Sequence, residues 1–373
     1  MTMTASKPTI LIVEDEAGPR DALKIILRPF YGLHMADNAL TAMKTLREQP
    51  IDLVTLDLKL PDRQGMDLLR DIKQERSDVE VIIITGYGSL KSAMDGLRYG
   101  AAGYLVKPFN VTELISVINQ ALGKKQRLQG LREFLKTHAV VWREHPDTTG
   151  TWRLLLELYG SLTKTTKPAL GSAEYLAFIP LITDLFEAKD RELLNHSSRA
   201  SFYAGLLARR LYLPAQEQKL LAIGAFLHDI GTIPFNEPFL SKTGELEDDE
   251  REPLRPHPEI GARIILPLGL PAQVRQAIVH HHERYDGLGY PSGLQGERIP
   301  LSARIVGLVQ AFDLMVTGSP AQPALSIEEA SEQIQRQAGT RFDPKLAELF
   351  LGAMAENKTT LPALSSRTIA LPD

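Results

Sequence analysis

The chain has 373 residues, 43% of them hydrophobic and 24% charged, which fits an ordinary globular protein of about two or three domains. Its formal charge of −4 gives no argument for a nucleic-acid or membrane-surface partner. With no cysteine, disulfides, thiolate metal sites and cysteine nucleophiles are excluded, so any metal must be held by His, Asp and Glu.

The first residues, MTMTASKP, carry no charged-then-apolar secretory signal, and no apolar run approaches the ~20 residues of a membrane span. A cytoplasmic protein without a membrane span is expected. No basic stripe with interleaved aromatics is present, so direct DNA binding is not expected.

Residues 8–122 alternate short apolar runs with helical patterns. The runs are 9–15, a weaker 32–37, 52–57, 79–85 and 103–107. Continuous apolar strands imply a sheet buried on both faces, and their alternation with helices implies parallel βαβ units. An α/β doubly wound domain with a five-stranded parallel sheet is predicted over 1–122.

Polar residues end these runs: Glu14 and Asp15 the first, Asp57 the third, Thr85 the fourth and Lys107 the fifth. In open α/β sheets the site lies beyond the carboxyl ends of the strands. Three carboxylates there need a cation, and Mg²⁺, which takes few carboxylates and keeps waters, suits them. A carboxylate can also accept a phosphoryl group, with a lysine and a hydroxyl meeting the added charge.

This constellation resembles the receiver domain of two-component response regulators. The resemblance implies that Asp57 is the phosphoacceptor, that Glu14, Asp15 and Asp57 bind Mg²⁺, and that Thr85 and Tyr104 form the switch pair. Lys107, followed by Pro108, matches the receiver lysine. A cognate histidine kinase is the implied partner.

Residues 123–172 are predicted to be a helical linker. Leu128, Leu131, Leu135, His138 and Trp142 recur at heptad spacing on a helix over 123–145. That stripe suits a stalk packed on its own neighbours or the seam of a homodimer. Pro146 to Gly150 end the helix, a second follows over 151–163, and 163–172 reads as a polar hinge.

From 173 to 356 the pattern is helical, with candidate helices over 173–188, 191–212, 215–230, 256–267, 271–284, 301–316, 326–338 and 343–356. Residues 357–373 read as a loose tail. Within this all-α region lie Glu192 and His196, His228-Asp229, His257, and the stretch HHHERYDGLGYP from His280 to Pro291. Glu192 and His196, four apart, share a helix face. A His-Asp pair at a buried helix end is costly unless it binds something. Mixed imidazole and carboxylate ligands suit Fe, Mn, Zn or Ni.

LHDIG, HPEIG and HHERYDGLGYP together resemble the HD-GYP domain, a branch of the HD phosphohydrolase superfamily. The resemblance implies two or three transition metals held by Glu192, His196, His228, Asp229, His257, His281 and His282, with Asp229 catalytic. It also implies a substrate loop of Asp286, Gly287, Gly289, Tyr290 and Pro291, and hydrolysis of cyclic di-GMP or a related cyclic dinucleotide. Two positions depart from that pattern. Thr232 stands where a lysine would meet a phosphate, and Gln310 stands at a ligand aspartate. A basic segment is replaced by Ser319 to Gln322. The alternative is therefore a weak or inactive domain that senses a nucleotide or binds a signalling protein.

Overall fold

The computed structural model describes residues 7–86, 88–163, 168–171, 175–235, 254–318 and 323–356. The tail 357–373 and the segment 319–322 lie outside them, as do 164–167 and Ser172 of the predicted hinge. The chain divides into two compact units, 1–127 and 128–373.

In the first unit, strands β1 (Thr9–Val13), β2 (Gly32–Ala36), β3 (Leu53–Leu56), β4 (Glu80–Thr85) and β5 (Gly103–Val106) form one sheet in the order β2-β1-β3-β4-β5. Every neighbouring pair is parallel. Helices α1 (Ala17–Leu27), α2 (Ala39–Glu48), α3 (Gly65–Glu75), α4 (Leu90–Arg98) and α5 (Val111–Glu144) follow the strands in turn. The runs behave as predicted because both faces are covered. Leu11, Val13, Val54 and Leu56 pack in one buried cluster, and Ile10, Ile12, Leu53 and Ile82 pack in the other.

The helix predicted over 123–145 is the continuation of α5, which begins at Val111. Its stripe is used within the second unit. Leu128, Leu131, Leu135 and Trp142 are buried in one cluster with Trp152, Phe178 and Phe186. His138 stacks on Phe134, with ring centroids 4.5 Å apart. Of the two readings of that stripe, packing on its own neighbours is the one observed. Helix α6 (Thr149–Thr163) joins the same core. There Trp152 Nε1 donates to the Ile264 carbonyl at 2.6 Å. Truncating a fully buried Trp typically costs about 3–5 kcal/mol, so this segment is structural as well as connecting.

The remaining helices are α7 (Ile179–Lys189), α8 (Arg191–Arg210), α9 (Ala215–Leu227), α10 (His257–Ile265), α11 (Ala272–His280), α12 (Leu301–Thr317), α13 (Ile327–Gln337) and α14 (Pro344–Glu356). No strand occurs among the described residues of this unit. Several predicted helices end early. The helix expected over 215–230 stops at Leu227, and a 3-10 turn over Ile230–Thr232 follows. The helix expected over 271–284 stops at His280, which leaves His281 as its C-cap. Side chains at such ends leave the regular spiral and can turn inward.

Candidate functional site

At the carboxyl edge of the sheet, Glu14 follows β1 and Asp57 follows β3, both buried, while Asp15 is exposed. Lys107 follows β5 and reaches across to them. Its Nζ lies 2.5 Å from Glu14 Oε2 and 2.7 Å from Asp57 Oδ2. Burial works against this ammonium, but the hydrogen bonds to Asp57 and Glu14 win and hold it above its ordinary range. Burial pushes the Glu14 carboxyl up in spite of Lys107.

The other carboxylate oxygen, Glu14 Oε1, is buried without a hydrogen-bond partner. An orphaned anionic oxygen beside Asp57 and Asp15 fits a hard divalent cation. Thr85 ends β4 fully buried, and its carbonyl accepts from the Lys107 amide at 2.9 Å. The Tyr104 hydroxyl lies 2.7 Å from Ser92 Oγ on α4, a partner that no sequence spacing announced.

In the second unit, four helices bring the predicted histidines together. Asp190 caps α8 by accepting from the Glu192 amide at 2.8 Å, and His196 sits on the next turns. His228 caps the C-terminus of α9, His257 opens α10, and His281-His282 follow α11. The HD turn lies directly on α10. A Cβ at Gly231 would meet the His257 carbonyl oxygen at 1.9 Å, so no larger residue fits there.

Asp229 is the centre of the cluster. Its Oδ1 lies 3.2 Å from His257 Nε2 and 3.6 Å from His281 Nε2. Its Oδ2 lies 3.1 Å from His228 Nε2 and 3.7 Å from His196 Nε2. Two groups with metal-ligand geometry result, one of Asp229, His257, His281 and His282, the other of His196, His228 and Asp229. Asp229 is common to both.

The protonation pattern follows from the outer hydrogen bonds. His228, His257 and His281 each donate Nδ1–H at 2.7 Å to the carbonyl three residues back, of Ala225, Leu254 and Ile278. His196 Nδ1 faces Asp313 Oδ2 at 2.8 Å, and Arg199 grips the same carboxylate at 2.7 and 2.9 Å. Each ring therefore presents its Nε2 lone pair inward. These nitrogens face one another at 3.2 Å in three pairs: His196–His228, His257–His281 and His257–His282. Neutral rings so placed repel unless a proton or a metal cation lies among them. This donor set, rich in imidazole with one carboxylate, fits borderline transition metals.

The pKa shifts agree. Burial lowers His281 to about 4 and takes His282 well below its usual range, so both rings are neutral at pH 7. Burial opposes the charge of Asp229, yet the histidines around it keep the carboxyl well below the ordinary range. For His228, burial is outweighed by the Asp229 charge, which raises its pKa.

Other predicted residues fall into place differently. Glu192 is exposed, accepts from Asn195 Nδ2 at 3.1 Å and lies outside both groups, because it occupies the first, solvent-facing turn of α8. Thr232 turns its hydroxyl to the Asp229 carbonyl at 2.7 Å. Gln310 is buried on α12 and lines a cavity of about 250 Å³ with His281, His282 and Tyr290.

The loop predicted to carry substrate contacts folds over the histidines. Asp286 pairs with Arg284 at 2.6 Å, and Gly287 takes a positive φ of 84°. A Cβ on Gly289 would meet the Arg284 amide nitrogen at 2.3 Å. Tyr290, which precedes Pro291 through a cis peptide, stacks on His282 at 4.8 Å. Glu283, which the sequence reading passed over, clamps this loop by accepting from the Ser292 and Leu294 amides at 2.7 and 3.0 Å. Its place inside the motif was the only signal, and the contacts span 9 and 11 residues.

Comparison with known proteins accords with both units. The family described as the response regulator receiver domain matches residues 10–119, and that described as the HD domain matches 180–346. "Cyclic di-GMP phosphodiesterase response regulator RpfG" of Xanthomonas campestris pv. campestris is 28% identical over 359 residues, covering 93% of this chain and 88% of that protein. A "Cyclic di-GMP phosphodiesterase" of Thermotoga maritima is 28% identical over 353 residues, covering 92% and 89%. Among solved structures, a response regulator receiver domain protein of Methanospirillum hungatei is 32% identical, covers 32% of this chain and 98% of its own, and has a TM-score of 0.32. No helix among the described residues is long and apolar enough to cross a membrane. The parallel sheet with acidic residues and a lysine at its carboxyl edge is thus a response regulator receiver domain over 10–119, and the helical unit with its shared His-Asp cluster is an HD domain over 180–346.

Proposed function

We propose that this chain is a phosphorylation-controlled, metal-dependent phosphodiesterase acting on cyclic di-GMP or a related cyclic dinucleotide. The observation that carries this reading is Asp229, whose two oxygens face separate imidazole groups. His196, His228 and Asp229 would hold one cation, and His257, His281, His282 and Asp229 a second. Fe, Mn, Zn or Ni suits these donors. With Glu192 exposed, two cations rather than three are supported. Bound metals of this kind acidify a water and neutralise phosphate oxygens.

The chain's own residues supply the rest. Asp229 keeps its charge in a buried setting and fixes the spacing between the two groups. The carbonyls of Ala225, Leu254 and Ile278, with Asp313, hold the rings in the ligating tautomer. The Gly287–Pro291 loop, tied down by Glu283, covers His282 and limits water access. Upstream, Asp57 would take a phosphoryl group from a histidine kinase as an acyl phosphate. Glu14 and Asp15 would share the Mg²⁺, and Lys107 would move from the carboxylates to the new phosphate. Thr85 and Tyr104 would report the change through the Ser92 contact on α4.

Thr232 and Gln310 favour a second reading, binding with slow or no turnover. The Thr232 hydroxyl is committed to a carbonyl, and Gln310 brings no charge to the cavity. The full-length protein loaded with Mn²⁺ or Fe²⁺, incubated with cyclic di-GMP and assayed for linear dinucleotide and GMP, tests both. Turnover that rises or falls with acetyl phosphate supports the first. Bound metal with no cleavage of any cyclic dinucleotide would overturn it.

A further inference from the structure

The cavity above His281 and His282 is lined by three arginines, Arg284, Arg304 and Arg341. Two of them are already matched. Arg284 pairs with Asp286 at 2.6 Å, and Arg304 pairs with Asp343 at 2.5 Å. Arg341 forms no ion pair with a described residue, and its guanidinium lies over the ring of its own neighbour Phe342 at 5.2 Å. Burial, followed by the like charge of Arg284, pushes its pKa down. A half-buried cation without a counter-ion is a cost to the fold that an arriving anion removes.

Its position is fixed from both sides. The Arg341 amide donates to the Gln337 carbonyl at 3.0 Å, and its own carbonyl accepts from the Tyr285 amide at 3.1 Å. The neighbouring Asp286 amide donates to the Thr340 carbonyl at 2.8 Å. The turn after α13 is thus hydrogen-bonded to the loop that carries Tyr290. These bonds hold the backbone from which Arg341 reaches the cavity, and its planar guanidinium offers two parallel N–H donors, which suit phosphate oxygens.

We propose that Arg341 is the cationic contact for the substrate's phosphoryl group, in place of the basic side chains absent at Thr232 and over 319–322. The inference rests on the phosphodiesterase reading for the identity of the substrate, but not for its test. The cavity, about 250 Å³, lies just below the usual range for small-molecule sites of roughly 300–1,000 Å³. It is therefore assigned to the reacting phosphate and its sugar.

The experiment uses the full chain loaded with Mn²⁺ and inorganic phosphate as the probe, titrated calorimetrically against wild type, Arg341→Gln and Arg341→Lys. The expected result is phosphate affinity weakened about tenfold or more in Arg341→Gln and less in Arg341→Lys, with manganese content and Tm unchanged. With cyclic di-GMP, KM should rise more than kcat falls. Unchanged phosphate affinity in Arg341→Gln overturns the proposal. So does an equal loss in both variants accompanied by loss of manganese, which marks a structural role. A wild type whose phosphate binding depends on Arg341 but which cleaves no cyclic dinucleotide would overturn the phosphodiesterase reading and leave the anion site standing.

Discussion

Replacing Asp229 with Asn is the sharpest test of the two-cation site. The substitution keeps size and shape but removes the one negative charge common to both groups. Each proposed cation then loses a charged oxygen, worth about 1.5–3 kcal/mol for a charge-assisted contact. The summed loss of about 3–6 kcal/mol corresponds to roughly 10²–10⁴ in the product of the two affinities, at 1.4 kcal/mol per tenfold. The assay is metal content by mass spectrometry after dialysis against graded chelator, with circular dichroism to show that the fold persists. Wild type should retain two equivalents at chelator concentrations that strip Asp229→Asn, and phosphodiesterase activity should disappear with the metal. An Asn variant that keeps both metals to the wild-type midpoint would refute the shared-carboxylate argument.

Four further outcomes are expected. Glu283→Ala leaves the Ser292 and Leu294 amides without their acceptor. At about 1–3 kcal/mol for each part-buried amide left unsatisfied, urea unfolding should show a loss of roughly 2–6 kcal/mol, and a loss under 0.5 would show that water replaces the clamp. Burial sets His281 at about 4 against 6.5 when unfolded, so its neutral form stabilises the fold and protonation undoes this. His281 alone should therefore cost metal-free protein about 3 kcal/mol as pH falls from 6.5 toward 4, and His282, also held well below its usual range, adds a loss of the same sign. His228, raised above 6.5, partly offsets this at the top of the window, where its unfolded form is still gaining its proton, and adds no slope once both forms are protonated. An equal slope in His281→Asn would show that another group titrates. Asp57→Asn should abolish labelling by acetyl phosphate while near-ultraviolet spectra stay native, and a labelled variant would assign the phosphoacceptor elsewhere. Gln310→Asp, which adds a carboxylate to the cavity wall, should tighten manganese binding about tenfold, and an unchanged midpoint would remove Gln310 from the metal environment.

Much of this architecture is written in local pattern. The strand runs of the first unit are nearly continuous in apolar residues because α-helices cover both sheet faces, and Glu14, Asp57, Thr85 and Lys107 stand out because each ends such a run. The histidines stand out because imidazoles are scarce in an apolar helical setting. The supports of those residues were not legible. Asp313 reaches His196 across 117 positions and Arg199 across 114. The three-residue offset on α12 sets Asp313 and Gln310 apart, but it does not say that Asp313 orients a ring while Gln310 faces the cavity. The exposure of Glu192 was hidden for a related reason. A four-residue spacing puts two side chains on one face, but it does not say which turn of the helix reaches solvent.

The early ends of α9 and α11 join these two kinds of information. A helix C-terminus leaves carbonyls without intrahelical donors. A histidine at the C-cap can satisfy the carbonyl three residues back with Nδ1–H, as His228 does for Ala225 and His281 for Ile278. That one bond caps the helix, fixes the tautomer and aims Nε2 away from the helix toward Asp229. A helix continued to 230 or to 284 would have used those carbonyls internally and left the rings free to rotate. The termination of each helix at its histidine is therefore part of the site, and the glycine at 231 lets the HD turn lie against His257 at the start of α10.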